Sequence, residues 1–205
     1  MKKKLWISVL LLITAMFAAL SLVACKKPNT EKTVYGLLNK LIAAEKNSVT
    51  LDLSLTQSGE TLTGKYVAKN EANGMKVTYT FERLNPIEKN EDGTYTFPTE
   101  VKSSHSGSMV LRDGKVVEQD GETADITIES ITASGVKFEE GSFKNVKTEN
   151  GKFTAEVSSP AAFLQQELSC EGMKVEVSYT ESAITSLKIT YTAAGADVSM
   201  AYTFA

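Results

Sequence analysis

Residue types that build chemical sites are scarce in this sequence of 205 residues, which has one His, two Cys and one Trp. Zinc and haem sites draw on several His and Cys side chains, so almost nothing is available for either. A positive charge excess is also absent, since 22 Lys and Arg stand against 25 Asp and Glu, for a net charge of −3. Nucleic-acid binding needs a basic surface, so this class of partner is excluded.

Catalytic motifs are equally scarce. The single histidine, His105, lies in the run Ser103-Ser104-His105-Ser106-Gly107. A nucleophile and its base must be presented to each other by a fold, and neighbours on a flexible stretch are not. We therefore expect His105 to lie on a surface loop, and we predict no catalytic residue, no cofactor and no enzymatic activity.

The N-terminus carries the most specific signal in the sequence. Lys2, Lys3 and Lys4 precede a charge-free apolar run from Leu5 to Ala24, which is the order of a secretory signal peptide. The run ends in Leu-Val-Ala followed by Cys25, and this resembles the lipobox of bacterial lipoproteins. The resemblance implies cleavage before Cys25, a diacylglyceryl group on its thiol and an extracytoplasmic domain anchored to the bacterial cell membrane.

Two alternatives to this lipoprotein interpretation stay open. The apolar run is just long enough to span a bilayer as an uncleaved anchor helix. Ordinary signal cleavage, with Cys25 incidental, would also fit. If Cys25 is lipidated, Cys170 is left as a lone thiol without a disulfide partner, and we expect it to be a small buried side chain and not a reactive group.

The chain is accordingly divided into a signal peptide (1–24), a short tether (25–30) and a single β-rich domain (31–205). The tether reaches only about 17 Å when extended. Lys26 and Lys27 would therefore be held near the headgroups, where they can contact anionic lipid.

Hydrophobic periodicity predicts one helix and then strands. A spacing of three and four residues predicts an N-terminal helix with the apolar side chains Val34, Leu37, Leu38, Leu41 and Ile42. Alternation with period two predicts strands over 49–56, 62–68 and 75–81, joined by turns at 57–60 and Asn73-Gly74.

The middle of the chain is less regular. From Leu84 to Ser108 the only short strand candidate is 94–97, and a hairpin turn is expected at 112–115. Further strands are predicted over 125–131, 136–143 and 152–157.

Pro160 favours the first turn of a short helix that we expect to extend to about Ser169. Three strands, at 173–180, 184–192 and 197–204, then close the chain as an antiparallel meander.

These elements predict a mainly β (α+β) fold, with a curved antiparallel sheet or half-barrel, an N-terminal helix and a short lidding helix. Its apolar face must be covered, either by folding over into a sandwich or barrel or by a lid above a concave pocket. The order of elements is similar to the lipoprotein-carrier superfamily, which includes periplasmic lipoprotein-localisation chaperones and mycobacterial lipid-transfer lipoproteins. The similarity rests on order and pattern over about residues 31–205, without a diagnostic motif.

The resemblance implies a lipoprotein that binds a lipid or other hydrophobic ligand. The candidate ligand-binding side chains are Leu53, Leu55, Phe81, Phe163, Leu164, Leu187 and Tyr191. The alternative is a cell-surface interaction or adhesion module with a filled β-sandwich core, in which these side chains pack only against one another. An interior cavity would favour the first hypothesis, and a filled core the second.

Overall fold

The structure is a computed structural model that describes residues 30–205 except positions 92, 97, 99 and 125. The predicted signal peptide, Cys25 and most of the tether fall on residues 1–29, outside the described part. The elements in chain order are α1 (Thr30–Ala43), β1 (Ser48–Gln57), β2 (Glu60–Glu71), β3 (Gly74–Leu84), β4 (Glu88–Lys89), β5 (Tyr95–Thr96), β6 (Lys102–Arg112), β7 (Lys115–Gly121), α2 (Ile128–Thr132), β8 (Phe143–Glu149), β9 (Lys152–Val157), α3 (Pro160–Leu164), β10 (Glu171–Tyr179), β11 (Ile184–Ala193) and β12 (Ala196–Phe204).

Ten of the twelve strands in the described part of the chain form one antiparallel sheet, in the order β7-β6-β3-β2-β1-β12-β11-β10-β9-β8, and β4 pairs with β5 separately. The first and last long strands, β1 and β12, pair at the centre. The sheet is not closed, because β7 and β8 form its two edges. The predicted fold class, mainly β with an antiparallel sheet, is therefore confirmed, and the alternative in which the sheet closes into a barrel is wrong.

Period-two alternation gives the sheet two different faces. On β1, Leu51 is fully buried and lies opposite Tyr202 and Tyr66. Its neighbour Asp52 points to the other face, where it is exposed and pairs with Lys65. The sheet thus has one apolar face and one face of hydroxyl and charged side chains, as the alternation predicts.

Helix α1 covers part of the apolar face with its buried stripe of Val34, Tyr35, Leu38, Leu41 and Ile42. Its C-terminal carbonyls accept hydrogen bonds from the ammonium group of Lys46, at 2.8 Å from Leu41 and 3.1 Å from Ile42. Partial burial lowers the pKa of Lys46. This side chain closes the helix end, where backbone carbonyls have no intrahelical donor.

The predicted strands over 125–131 and 136–143 are wrong. Residues 128–132 form α2, whose N-cap Thr127 accepts a hydrogen bond from the backbone N–H of Ser130. In 136–143, Val136 and Phe138 do alternate toward the core, but the backbone of Phe138 exchanges two 2.8 Å hydrogen bonds with the Asn39 side chain of α1. The alternation of apolar residues correctly predicts that Val136 and Phe138 are buried. The backbone of Phe138, however, forms its hydrogen bonds with a side chain of α1 and not with a neighbouring strand.

Two other predictions need correction. The segment around His105 is not a loop, since it belongs to the 11-residue strand β6. The helix from Pro160 ends at Leu164 instead of about Ser169, because Gln165 takes a left-handed backbone conformation with φ of 54°. The lid is consequently much shorter than predicted.

The covered half of the apolar face contains five aromatic side chains packed against one another, which we call the phenylalanine cluster. Its ring centroids lie 5.5–6.0 Å apart in stacked and edge-to-face pairs. The rings come from α1, the 136–143 segment, β8, β9 and α3, namely Tyr35, Phe138, Phe143, Phe153 and Phe163. All five are buried, so this half of the molecule is a filled core.

Candidate functional site

The apolar face is open at one end of the central strands, and we call this region the apolar shelf. It is a groove of about 380 Å³. It lies where β1 ends, β2 begins and β3 ends. Its apolar side chains, together with one glycine, are Leu53, Leu55, Leu62, Gly64, Tyr66 and Phe81, and its rim is formed by Thr63, Glu82 and Arg83.

The shelf is open because the covering elements stop short of it. Helix α2 packs on β1 and β2. Leu51, on the apolar face of β1, is fully buried. Leu53 and Leu55, two and four residues farther along β1, are only half-buried. The same strand therefore passes from core to a partly exposed apolar surface.

A glycine shapes the floor of the shelf. Gly64 lies between Leu53 and Phe81 in the strand register. The Tyr66 ring lies over Gly64, and a Cβ there would lie 2.9 Å from its Cε2 atom. Any larger residue at position 64 would push this ring away, so the position of the Tyr66 ring on the shelf floor depends on the glycine.

An aromatic and cationic wall borders the shelf. The imidazole of His105 stacks on Phe81 with a centroid separation of 5.5 Å, and the Arg83 guanidinium lies 4.8 Å from the centre of the Phe81 ring. Arg83 Nη2 also donates a 2.9 Å hydrogen bond to the Thr123 carbonyl. Phe81 thus contacts two planar groups, one imidazole and one guanidinium.

His105 and Ser103 do form a pair, but the hydroxyl proton is directed elsewhere. Ser103 Oγ donates a 2.7 Å hydrogen bond to Asn85 Oδ1 and lies 2.9 Å from His105 Nε2. Because a hydroxyl has one proton, this arrangement makes the imidazole the donor and Ser103 the acceptor. A nucleophile–base pair requires the opposite direction.

The rim carries an ion pair between Glu82 and Lys102, with 2.9 Å between Oε1 and Nζ. Glu82 also accepts hydrogen bonds of 2.8 Å from both the backbone N–H and the hydroxyl of Thr63. These contacts, with the Lys102 hydrogen bond the largest, lower the pKa of Glu82 to about 2. The carboxylate stays charged throughout the neutral and mildly acidic range.

A second open hollow of about 330 Å³ lies between α2, α3 and the sheet. It is lined in part by Leu164, Met200 and Tyr202. Because Leu53 of the shelf is the register partner of Met200, the two hollows adjoin across the β1–β12 pair. The Tyr202 hydroxyl donates a 2.6 Å hydrogen bond to the Ser130 carbonyl, and burial, followed by the nearby Tyr191, strongly raises the Tyr202 pKa.

The structure places the predicted ligand-binding residues in four different locations. Leu53, Leu55 and Phe81 meet at the shelf, and Leu164 lines the second hollow. Phe163 and Leu187 are fully buried in the packed core. Tyr191 is half-buried and opposite Val198, with its pKa raised by burial and then by Cys170.

Sequence reasoning missed Leu62, Gly64 and Tyr66. A usable signal was present, because the short turn at Ser58-Gly59 fixes the β1–β2 register. That register places Leu62 opposite Leu55 and Gly64 opposite Leu53. Counting back from the turn would therefore have identified the other half of the shelf.

No group of three or more His, Cys, Asp or Glu suited to a metal ion occurs among the described residues. Within residues 30–205, no described helix is long and apolar enough to cross a membrane. No protein-family model and no curated protein matches the chain.

Proposed function

We propose that this chain is a membrane-anchored extracytoplasmic lipoprotein that binds a lipid or other hydrophobic ligand without catalysing a reaction. The anchoring part rests on the lipobox-like sequence before Cys25. The binding part rests on the apolar shelf, where Leu53, Leu55 and Leu62 are half-buried and line a groove of about 380 Å³. The ligand would cover these side chains and remove their remaining apolar surface from water.

The shelf supports an extended ligand better than a compact one. The register partners Met200, Leu53, Gly64, Phe81 and His105 form one row across five strands. The row is mostly apolar and connects the shelf to the second hollow. An alkyl chain lying along this row would contact both hollows.

Native mass spectrometry of the full chain, purified from membranes in detergent, tests this function. We expect adducts of an apolar small molecule beyond the mass of the anchored chain, and their loss in the double variant Leu53→Ser and Leu55→Ser. The matched control is Val67→Ser with Val110→Ser, since both valines are half-buried on the opposite face of the sheet. An absence of adducts, or equal loss in the control, would contradict ligand binding at the shelf.

The anchor is tested separately. Cys25→Ala should remove the lipid mass and release the chain from the membrane fraction. Retention of Cys25→Ala in that fraction would favour the uncleaved anchor helix.

The second candidate function is a surface interaction module. One observation favours it, the apolar surface on the connection between β3 and β6 described next. Its exposed apolar residues are none of those that line the shelf, so it can be tested independently.

A further inference from the structure

The segment from Leu84, the last residue of β3, to Val101, which precedes β6, concentrates exposed apolar side chains, and we call it the apolar hairpin. Six large apolar side chains are exposed among the described residues, and four of them belong to this hairpin. Their exposed fractions are 54–58%, and they are Leu84, Ile87, Tyr95 and Val101. The other two, Val116 and Val117, lie on the edge strand β7.

The base of the apolar hairpin is fixed by Asn85. Its backbone N–H donates to the Val101 carbonyl and its side-chain amide donates to the Glu100 carbonyl, both at 2.9 Å. Its side-chain oxygen accepts the 2.7 Å hydrogen bond from Ser103. The two ends of the excursion are thereby held together beside the shelf wall.

The tip is also built by specific hydrogen bonds. The strands β4 and β5 pair, and the Asn90 N–H donates to the Thr94 carbonyl at 2.8 Å. The Asn90 side-chain amide donates to the Thr94 hydroxyl at 2.8 Å, and the Gly93 N–H donates to the Asn90 carbonyl at 3.0 Å. These hydrogen bonds hold the described residues Asn90, Gly93 and Thr94 together, and Ile87 and Tyr95 on either side of them are exposed to solvent.

Charge indicates which kind of partner this surface fits. Residues 84–101 contain four carboxylate residues and one lysine, Lys89, and the charged side chains described as exposed are Glu91 and Glu100. An acidic surface is repelled by the anionic leaflets that attract basic segments, so a lipid surface is disfavoured. An apolar patch with acidic neighbours complements a polypeptide that places apolar side chains between Lys or Arg residues.

We propose that the apolar hairpin is a docking surface for a basic, amphipathic polypeptide segment of another protein. Ile87, Tyr95, Leu84 and Val101 would be covered by the apolar side chains of the partner. Glu91 and Glu100 would face its cations. This function does not depend on ligand binding at the shelf.

Fluorescence anisotropy on the full chain in nanodiscs of zwitterionic lipid tests the proposal, with empty nanodiscs as the blank. The probes are labelled peptides of alternating Leu and Lys, of alternating Leu and Glu, and of alternating Ser and Lys. We expect only the Leu/Lys peptide to bind, and Ile87→Ser with Tyr95→Ser to weaken it at least about tenfold. Glu91→Gln with Glu100→Gln should weaken binding less and reduce its salt dependence.

The matched control is Val116→Ser with Val117→Ser, which removes similarly exposed apolar side chains from β7 and should leave binding unchanged. Circular dichroism melting verifies that each variant folds. Equal binding of the Leu/Glu or Ser/Lys peptide, or of the Leu/Lys peptide to the hairpin variant, would overturn the proposal. Hairpin-dependent binding of the chain to anionic vesicles would assign the surface to lipid and would overturn it as well.

Discussion

The phenylalanine cluster and the apolar shelf lie on the same face of the same sheet, yet one is filled and the other is open. Both arise from strands with period-two alternation. Over β8, β9 and β10, the cover is α1, α3 and the 136–143 segment, and Phe153 and Phe163 are fully buried. These elements do not extend over the end of β1 and the start of β2, so Leu53 and Leu55 are only half-buried. Alternation selects the apolar face, while the length and position of the covering segments decide which part becomes core.

The largest expected difference between the two regions is in stability. Phe163→Ala removes a fully buried ring from a packed cluster and should lower the free energy of unfolding by about 3–5 kcal/mol. Leu53→Ala removes a half-buried side chain and should cost about 1 kcal/mol. Urea unfolding monitored by circular dichroism measures both, and equal costs would mean that the shelf is as tightly packed as the cluster.

Two glycines, Gly107 in the sheet and Gly36 in the covering helix α1, provide a finer comparison. A Cβ on Gly107 would lie 2.6 Å from the Glu122 carbonyl oxygen and 2.8 Å from the Tyr79 ring, so Gly107→Ala should cost about 1–3 kcal/mol. Gly36 is exposed in α1 with no atom within 4 Å of such a Cβ. Gly36→Ala should instead stabilise by about 0.5–1 kcal/mol.

Thermal melting of both glycine variants distinguishes these effects. Destabilisation by Gly36→Ala would show that other parts of the chain contact α1 at position 36. Unchanged stability in Gly107→Ala would show that the segment at Glu122 is free to move away from β6.

Loss of the Tyr202 hydrogen bond should have a smaller effect. Tyr202→Phe keeps the ring in the core but leaves the Ser130 carbonyl without its 2.6 Å donor, which should cost about 1 kcal/mol. The expected structural consequence is faster hydrogen exchange in α2, measured by mass spectrometry. Faster exchange confined to the phenylalanine cluster would contradict the interpretation that this hydrogen bond holds α2 on β12.

The smallest predicted effect concerns the pH dependence of the shelf rim. The pKa of Glu82 is lowered from 4.5 to about 2 by Lys102 and Thr63, so the folded state favours its charged form. The resulting stabilisation is present above pH 4.5 and is lost as the pH falls toward about 2. The difference in melting temperature between the wild type and Glu82→Gln should shrink over this interval, and a constant difference would contradict the Lys102 interaction as its source.

Much of the sheet could be predicted, because local alternation and short turns suffice to define strands such as β1, β2 and β10 to β12. The segment around Val136 and Phe138 could not, since its backbone partner is the distant side chain of Asn39. The serine-rich start of β6 was also missed. There the strand is defined by pairing with β3, where His105 lies opposite Phe81.

The shelf could be predicted only in part. The apolar character of Leu53, Leu55 and Phe81 follows from the sequence, but their exposure depends on where α2 and α3 end. The early end of α3 is set by the left-handed backbone conformation of Gln165. The apolar residues up to Leu168 predict a longer helix and give no sign of this end. Phe163 and Leu187 look equivalent to the shelf residues in the sequence, although the covering elements bury them completely.

Photolabelling of the full chain in membranes with a diazirine-bearing fatty acid tests the central claim most directly. Peptide mapping should place the label on the Leu53–Leu62 hairpin or near Phe81, and Leu53→Ser with Leu55→Ser should remove it. Label at Phe153, Phe163 or Leu187, or equal labelling of the variant, would contradict the division of the apolar face into a filled half and an open, ligand-binding end.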